Sequence, residues 1–147
     1  MTEPLRIEEV LATEGVYLCT TVGVSMEPLL KNRRDTVEIR PPRGRLQKYD
    51  VALYRRGPSY VLHRVVRVLP DSYVICGDHC VTREYDIRDE QIVGVMTAFW
   101  RKGHYIKADN RLYRLWAVVH CALFWLRAPL LQLRYRIGRL LCRRGDT

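Results

Sequence analysis

Up to about residue 108 short strand-like runs, several alternating apolar and polar positions with a period of two, are separated by turns, and beyond them the rhythm changes. Asp35 to Arg40 (Asp-Thr-Val-Glu-Ile-Arg) alternates as a half-buried strand does. Val16 to Val22 forms a second strand, and Asp50 to Arg55 reads as a largely buried third. Tyr60 to Leu69 is a long strand that Pro70-Asp71 turns back into Ser72 to Cys76. Gln91 to Trp100 and His104 to Ala108 make a last hairpin around Lys102-Gly103. Period two places Val61, His63 and Val65 on one face of the long strand, with Leu62, Arg64, Val66 and Val68 on the other. Between Asp78 and Asp89, a stretch holding Glu84 and Asp86, the pattern predicts a polar loop. Pro4 to Thr13 spaces Leu5, Ile7, Val10 and Leu11 for a short amphipathic helix that Gly15 stops. These elements predict a mainly β domain over residues 1–108, entered by one helix.

Residues 109–147 follow a helical pattern. Leu115 to Leu126 is a run without a formal charge, bracketed by Arg114 and Arg127. As a helix it would rise only ~18 Å, short of the ~30 Å hydrocarbon layer, so a spanning helix is not predicted. Pro129 should kink or restart the chain, after which Leu and Ile alternate with Arg up to Arg144. Two readings fit: an interfacial helix lying on an anionic membrane surface through the Arg-rich residues 111–144, or a helical hairpin packed on the β domain or another chain.

Charge sharpens that picture. The net charge is +9, yet Met1 to Trp100 holds 14 basic and 14 acidic residues, while Arg101 to Thr147 holds 11 basic and 2 acidic ones. The whole excess therefore belongs to the C-terminal extension. Its apolar run favours lipid or protein over nucleic acid as a partner. Met1 to Glu14 has four glutamates and no apolar run, unlike a secretory signal or an anchor. The expected location is cytoplasmic, peripheral to a membrane if the extension binds one. The five cysteines are odd in number and contain no CxxC pair, which predicts free thiols of a reducing compartment. Cys76, His79 and Cys80 are too few for a zinc site, and no metal or cofactor is expected.

Candidate chemistry centres on Thr20 to Leu29. A strand ends at Gly23, Ser25 follows, and Pro28 blocks further regular pairing. The other serines, Ser59 and Ser72, fall in hairpin turns. A serine held where a strand stops can act as a nucleophile if a base reaches it.

Gly23-Val24-Ser25-Met26-Glu27-Pro28 resembles the nucleophile box of the type I signal peptidases, whose superfamily includes the LexA-like self-cleaving repressors. Val61-Leu62-His63-Arg64-Val65-Val66 is similar to the family's general-base strand, Cys76-Gly77-Asp78-His79 to its Gly-Asp-Asn turn, and Gln91-Ile92-Val93-Gly94-Val95 to its closing strand. The four blocks stand in the family's order over Gly15 to Val95. Histidine in place of lysine at the base resembles the Ser–His, endoplasmic-reticulum-type branch. The resemblance implies a coiled, barrel-like β fold and a serine endopeptidase acting on a leader or signal-like peptide bound as an added strand. Ser25 would be its nucleophile and His63 its base. For the acid it implies Glu84 or Asp78 about equally, with Asp86 behind, or a dyad with no acid; Asp78 could instead pair with Arg64. Three departures stand out: no N-terminal membrane helix, Tyr49 where the family has glycine, and no hydroxyl two residues before Ser25 for a second oxyanion donor. The competing reading is an inactive peptide-binding or scaffold relative held in place by its basic tail. A self-cleaving repressor is disfavoured, because 24 residues before Ser25 leave no room for a DNA-binding domain.

Overall fold

The computed structural model describes residues 6–144, with side chains described from Arg6 to Arg139. The mainly β expectation holds: one antiparallel sheet carries eight strands, accompanied by three α-helices. In chain order these are α1 (Ile7–Glu14), β1 (Tyr17–Thr20), β2 (Thr36–Arg40), β3 (Val51–Arg56), β4 (Ser59–Val68), β5 (Tyr73–Cys76), β6 (Glu84–Ile87), β7 (Ile92–Arg101), β8 (His104–Lys107), α2 (Arg111–Ala122) and α3 (Phe124–Arg144). The sheet runs β1-β2-β7-β3-β4-β5-β6, with β8 also on β7. One edge of β7 pairs with β2, and its other edge is shared by β3 near its start and β8 at its end. Gly94 permits that crossing: a Cβ there would overlap the Ile39 side chain and meet the Arg40 carbonyl at 3.0 Å.

Both faces of the sheet are covered, so its alternation sorts side chains between two cores. From β3, Val51 and Leu53 enter one cluster with Leu29, Leu30, Ile39 and Phe99, while Ala52 and Tyr54 enter the other with Val65, Tyr73 and Ile75. Helix α1 lies against the first cluster through Leu11. It is tied to the sheet by Glu8, which accepts hydrogen bonds from Arg55 Nε at 2.5 Å and Tyr60 Oη at 2.6 Å. Pro4 and Leu5 of the predicted helix lie outside the described residues.

Three expectations are corrected. The predicted polar loop contains a strand, β6, whose Ile87 is buried opposite Tyr73. Its alternation is masked because Asp86 adopts φ 56, a left-handed irregularity in the middle of a four-residue strand. The chain bends in the C-terminal extension at Leu123, not at Pro129, which lies inside α3; α2 and α3 diverge by 65°. Strand β1 also ends at Thr20, before Val22: Thr21 N–H still reaches the Asp35 carbonyl at 3.0 Å, but the Thr21 carbonyl accepts from Arg33 N–H, which breaks the register.

Helix α2 belongs to the body of the protein. Asn110 caps it, accepting from the backbone of Leu112 at 3.0 Å and Tyr113 at 3.1 Å. Its inward face sends Tyr113 into the first core, edge-on to Phe99 at 5.2 Å. The opposite face leaves Leu112, Leu115, Val118 and Val119 exposed, and α3 exposes Trp125, Leu126, Leu130 and Leu133. No single helix among the described residues is long and apolar enough to cross a membrane.

Candidate active site

The segment from Thr21 to Asp35 is a closed loop pinned from both ends. Thr21 Oγ1 donates to the carbonyls of Lys31 and Asp35, and Arg33 N–H donates to the Thr21 carbonyl at 2.7 Å. Asp35, 1 % exposed, accepts from Lys31 N–H at 2.8 Å and from Arg34. Gly23 stands at φ 98, the left-handed region that favours glycine, and its N–H donates to Asn32 Oδ1 at 2.9 Å. Met26, Leu29 and Leu30 bury the far side of the loop in the first core. Ser25 is thus carried at the loop's tip on a fixed backbone, partly exposed. Among the described residues its N–H makes no backbone hydrogen bond.

His63 reaches the same cleft from β4. Register sets Ala52 opposite His63 and Tyr54 opposite Val61, so Tyr54 and His63 are diagonal neighbours on one face. Tyr54 Oη lies 3.2 Å from His63 Nδ1 and donates to Glu84 Oε1 at 2.7 Å. The same carboxylate oxygen is 3.2 Å from His63 Nδ1 and accepts from Arg56 Nη1 at 3.0 Å. With the tyrosine proton drawn to the carboxylate, the arrangement favours Nδ1–H as a donor to Tyr54 and Glu84, which leaves Nε2 with its lone pair. Among the described residues Nε2 makes no hydrogen bond. Burial lowers the His63 pKa below its ordinary value; Glu84 opposes that shift and Arg56 adds to it. The imidazole is therefore kept neutral, as a general base must be.

Gly77 brings the two groups together. A Cβ on this residue would lie 2.6 Å from the Ser25 carbonyl oxygen and 3.0 Å from His63 Nε2. The space between the serine backbone and the imidazole is thus too small for any side chain at this position. His79 N–H donates to the same Ser25 carbonyl at 2.8 Å, tying the turn after β5 to the loop. Ser25 and His63 line one cleft of about 560 Å³, although Ser25 Oγ forms no hydrogen bond to the imidazole among the described residues. The rest of its wall includes Tyr17, Cys19, Val37, Ile39, Leu53 and Leu62, an apolar lining open along the unpaired edge of β1.

The candidate acids separate clearly. Glu84 sits at the imidazole. Asp78 turns its carboxylate onto Arg64, accepting from Nε and Nη2 at 2.8 Å each, with both residues almost fully buried. Tyr113 Oη and the Tyr49 carbonyl take the remaining Arg64 Nη1 bonds. Tyr49 holds the glycine-like turn at φ 80, so the departure at this position preserves the left-handed backbone. Asp86 is exposed beside Arg88 and does not reach the site. His79 lies on the rim, His104 is exposed on β8 and His120 belongs to α2.

Tyr54 and Arg56 escaped the sequence reading. Both sit in a strand that reads as apolar followed by basic, and only the β3–β4 register with β6 alongside gives them a role. Cys80 lines the cleft too; the four described cysteines are free. No three metal-binding side chains come together among the described residues. Compared with family models, curated proteins and solved structures, the chain gives no match.

Proposed function

We propose that this protein is a serine endopeptidase of signal-peptidase type, with a peptide bound in the cleft as an added strand beside β1. The observation that carries the reading is the shared cleft: Ser25 and His63 open into it while Glu84 and Tyr54 hold the far side of the imidazole. Ser25 Oγ attacks the scissile carbonyl as His63 Nε2 takes its proton, and the imidazolium then protonates the leaving amine. Glu84 stabilises the imidazolium. The unpaired Ser25 N–H is available to the developing oxyanion. Substrate has to close the remaining distance between hydroxyl and imidazole, as catalytic hydrogen bonds absent in free enzymes commonly require.

The apolar wall from Tyr17 to Leu62 suits an extended, uncharged stretch of a leader-like peptide. The coiled, barrel-like form of the signal peptidases is the fold this reading assigns to the sheet. The basic, apolar extension is the part that would meet an anionic membrane surface. A fluorophosphonate probe and a panel of signal-like peptides test the proposal. Wild type is expected to label at Ser25 and to cleave, and Ser25→Ala to lose both with an unchanged melting temperature. Equal cleavage by Ser25→Ala would overturn it.

A further inference from the structure

Beneath the elbow between α2 and α3 lies a second cavity, of about 420 Å³, lined from the sheet side by Val66, Arg67, Cys76 and the turn at Gly77 and Asp78. Its charge is one-sided. Lys48, Arg67, Arg83 and Arg127 all line it, and the one carboxylate present, Asp78, is already taken by both donors of Arg64. Among the described residues none of these four cations has a carboxylate partner. Arg127 Nη1 donates to the uncharged ring of His120, which leaves its charge uncompensated. The Nε atoms of Arg83 and Arg127 are buried and have no hydrogen-bond partner among the described residues. Native proteins seldom bury a donor without an acceptor, and two on converging guanidiniums call for one.

The aromatic residues fix where that acceptor would sit. Arg83 Cζ lies 4.5 Å from the Phe124 ring centroid and 5.6 Å from that of Trp125, and Arg127 Cζ lies 6.0 Å from Phe124. Stacking on Phe124 holds both guanidiniums at the break between the helices. We propose that this cavity binds a phosphate group, with Arg83 and Arg127 as its principal donors and Lys48 and Arg67 completing the charge. A phosphate offers several acceptor oxygens to forked donors, which matches the two orphaned Nε atoms. The phosphate has two possible sources, a phospholipid headgroup entering between the exposed apolar faces of α2 and α3, or a soluble phosphate ester. The site does not depend on Ser25 being a nucleophile.

The test uses the full chain and two probes: calorimetric titration with inorganic phosphate, and flotation with phosphatidylcholine vesicles with and without phosphatidylglycerol, at one ionic strength. Arg83→Gln/Arg127→Gln should weaken phosphate binding by roughly tenfold or more. Arg83→Lys/Arg127→Lys keeps the charge but lacks the Nε donors, and should also bind more weakly. Arg134→Gln/Arg136→Gln removes equal charge from the exposed face of α3 and should leave phosphate binding unchanged. Loss of flotation on phosphatidylglycerol vesicles in the pocket variants alone assigns the site to a lipid headgroup. Loss of phosphate binding with flotation unchanged assigns it to a soluble phosphate. The proposal is overturned if the Lys pair matches wild type with both probes, or if the α3 control loses as much as the pocket variants. It is also overturned if wild type neither binds phosphate nor prefers phosphatidylglycerol vesicles. The Lys pair, which can still stack on Phe124, decides the matter should the Gln pair fail to fold.

Discussion

In the proposed mechanism a single hydroxyl, that of Tyr54, bears on which imidazole nitrogen acts as the base. It is fully buried, outside the cleft, and joined to both His63 Nδ1 and Glu84. Tyr54→Phe should therefore lower kcat by roughly 10–100-fold with KM unchanged. Steady-state kinetics on one peptide checks this; a rise in KM alone would mean Tyr54 shapes the cleft instead. The charge around the imidazole makes a second prediction. The proposed hydrolysis needs neutral His63, so its rate should rise with pH through the His63 pKa. Burial holds that pKa below the ordinary imidazole value of ~6.5, so the acid limb of the pH–rate profile should have its midpoint there too. Arg56→Gln removes a cation that disfavours the imidazolium, so the midpoint should move to higher pH. Ser25 and His63 could be picked out by the motifs around them. Tyr54 could not: an aromatic residue in an apolar strand looks like core until the register puts its oxygen beside a histidine.

At the level of elements, the site depends on short segments meeting at one point: the loop carrying Ser25, the turn at Gly77, and β6 with Glu84. Gly77→Ala would push its methyl group against the Ser25 carbonyl, a backbone atom with no rotamer to yield. The loop must shift, and a displacement of about 1 Å at the reacting atoms costs on the order of 100-fold in rate. Activity should fall by that order while thermal stability, measured by circular dichroism, changes much less. An active Gly77→Ala enzyme would show that the loop tolerates movement. The long strands β3, β4 and β7 were legible because each is a run of six residues or more rich in apolar and β-branched side chains and bounded by turn residues. Strand β6 was not. It holds one buried residue, Ile87, with Tyr85 exposed and the carboxylates of Glu84 and Asp86 beside it.

Across the whole molecule, the C-terminal extension and the sheet are joined through the buried pair Arg64–Asp78. Arg64 lies beneath Tyr113 and Trp116, with Cζ at 5.7 Å and 5.6 Å from their ring centroids. Asp78→Asn leaves the guanidinium buried without its counter-charge, which costs ~3–5 kcal/mol. Urea unfolding should register that loss, whereas turnover per folded molecule should stay near wild type. A selective collapse of kcat would instead assign Asp78 a part in the chemistry. The extension's composition announced helices and positive charge. Its seat on the sheet could not be read from the same residues, since an aromatic face that docks on protein and one that docks on lipid have the same periodicity.

Strand β4 seats a neutral imidazole and a permanent cation back to back. His63 looks into the cleft and Arg64 into the protein beneath the helices. Inserting one residue upstream of them in this strand would carry His63 to the place facing Asp78, and deleting one would carry Arg64 to the place facing the cleft. Either change would take the imidazole from the cleft and the guanidinium from Asp78 in one stroke, so under the proposed mechanism the spacing from the β3–β4 turn to His63 is as constrained as the identity of His63 itself.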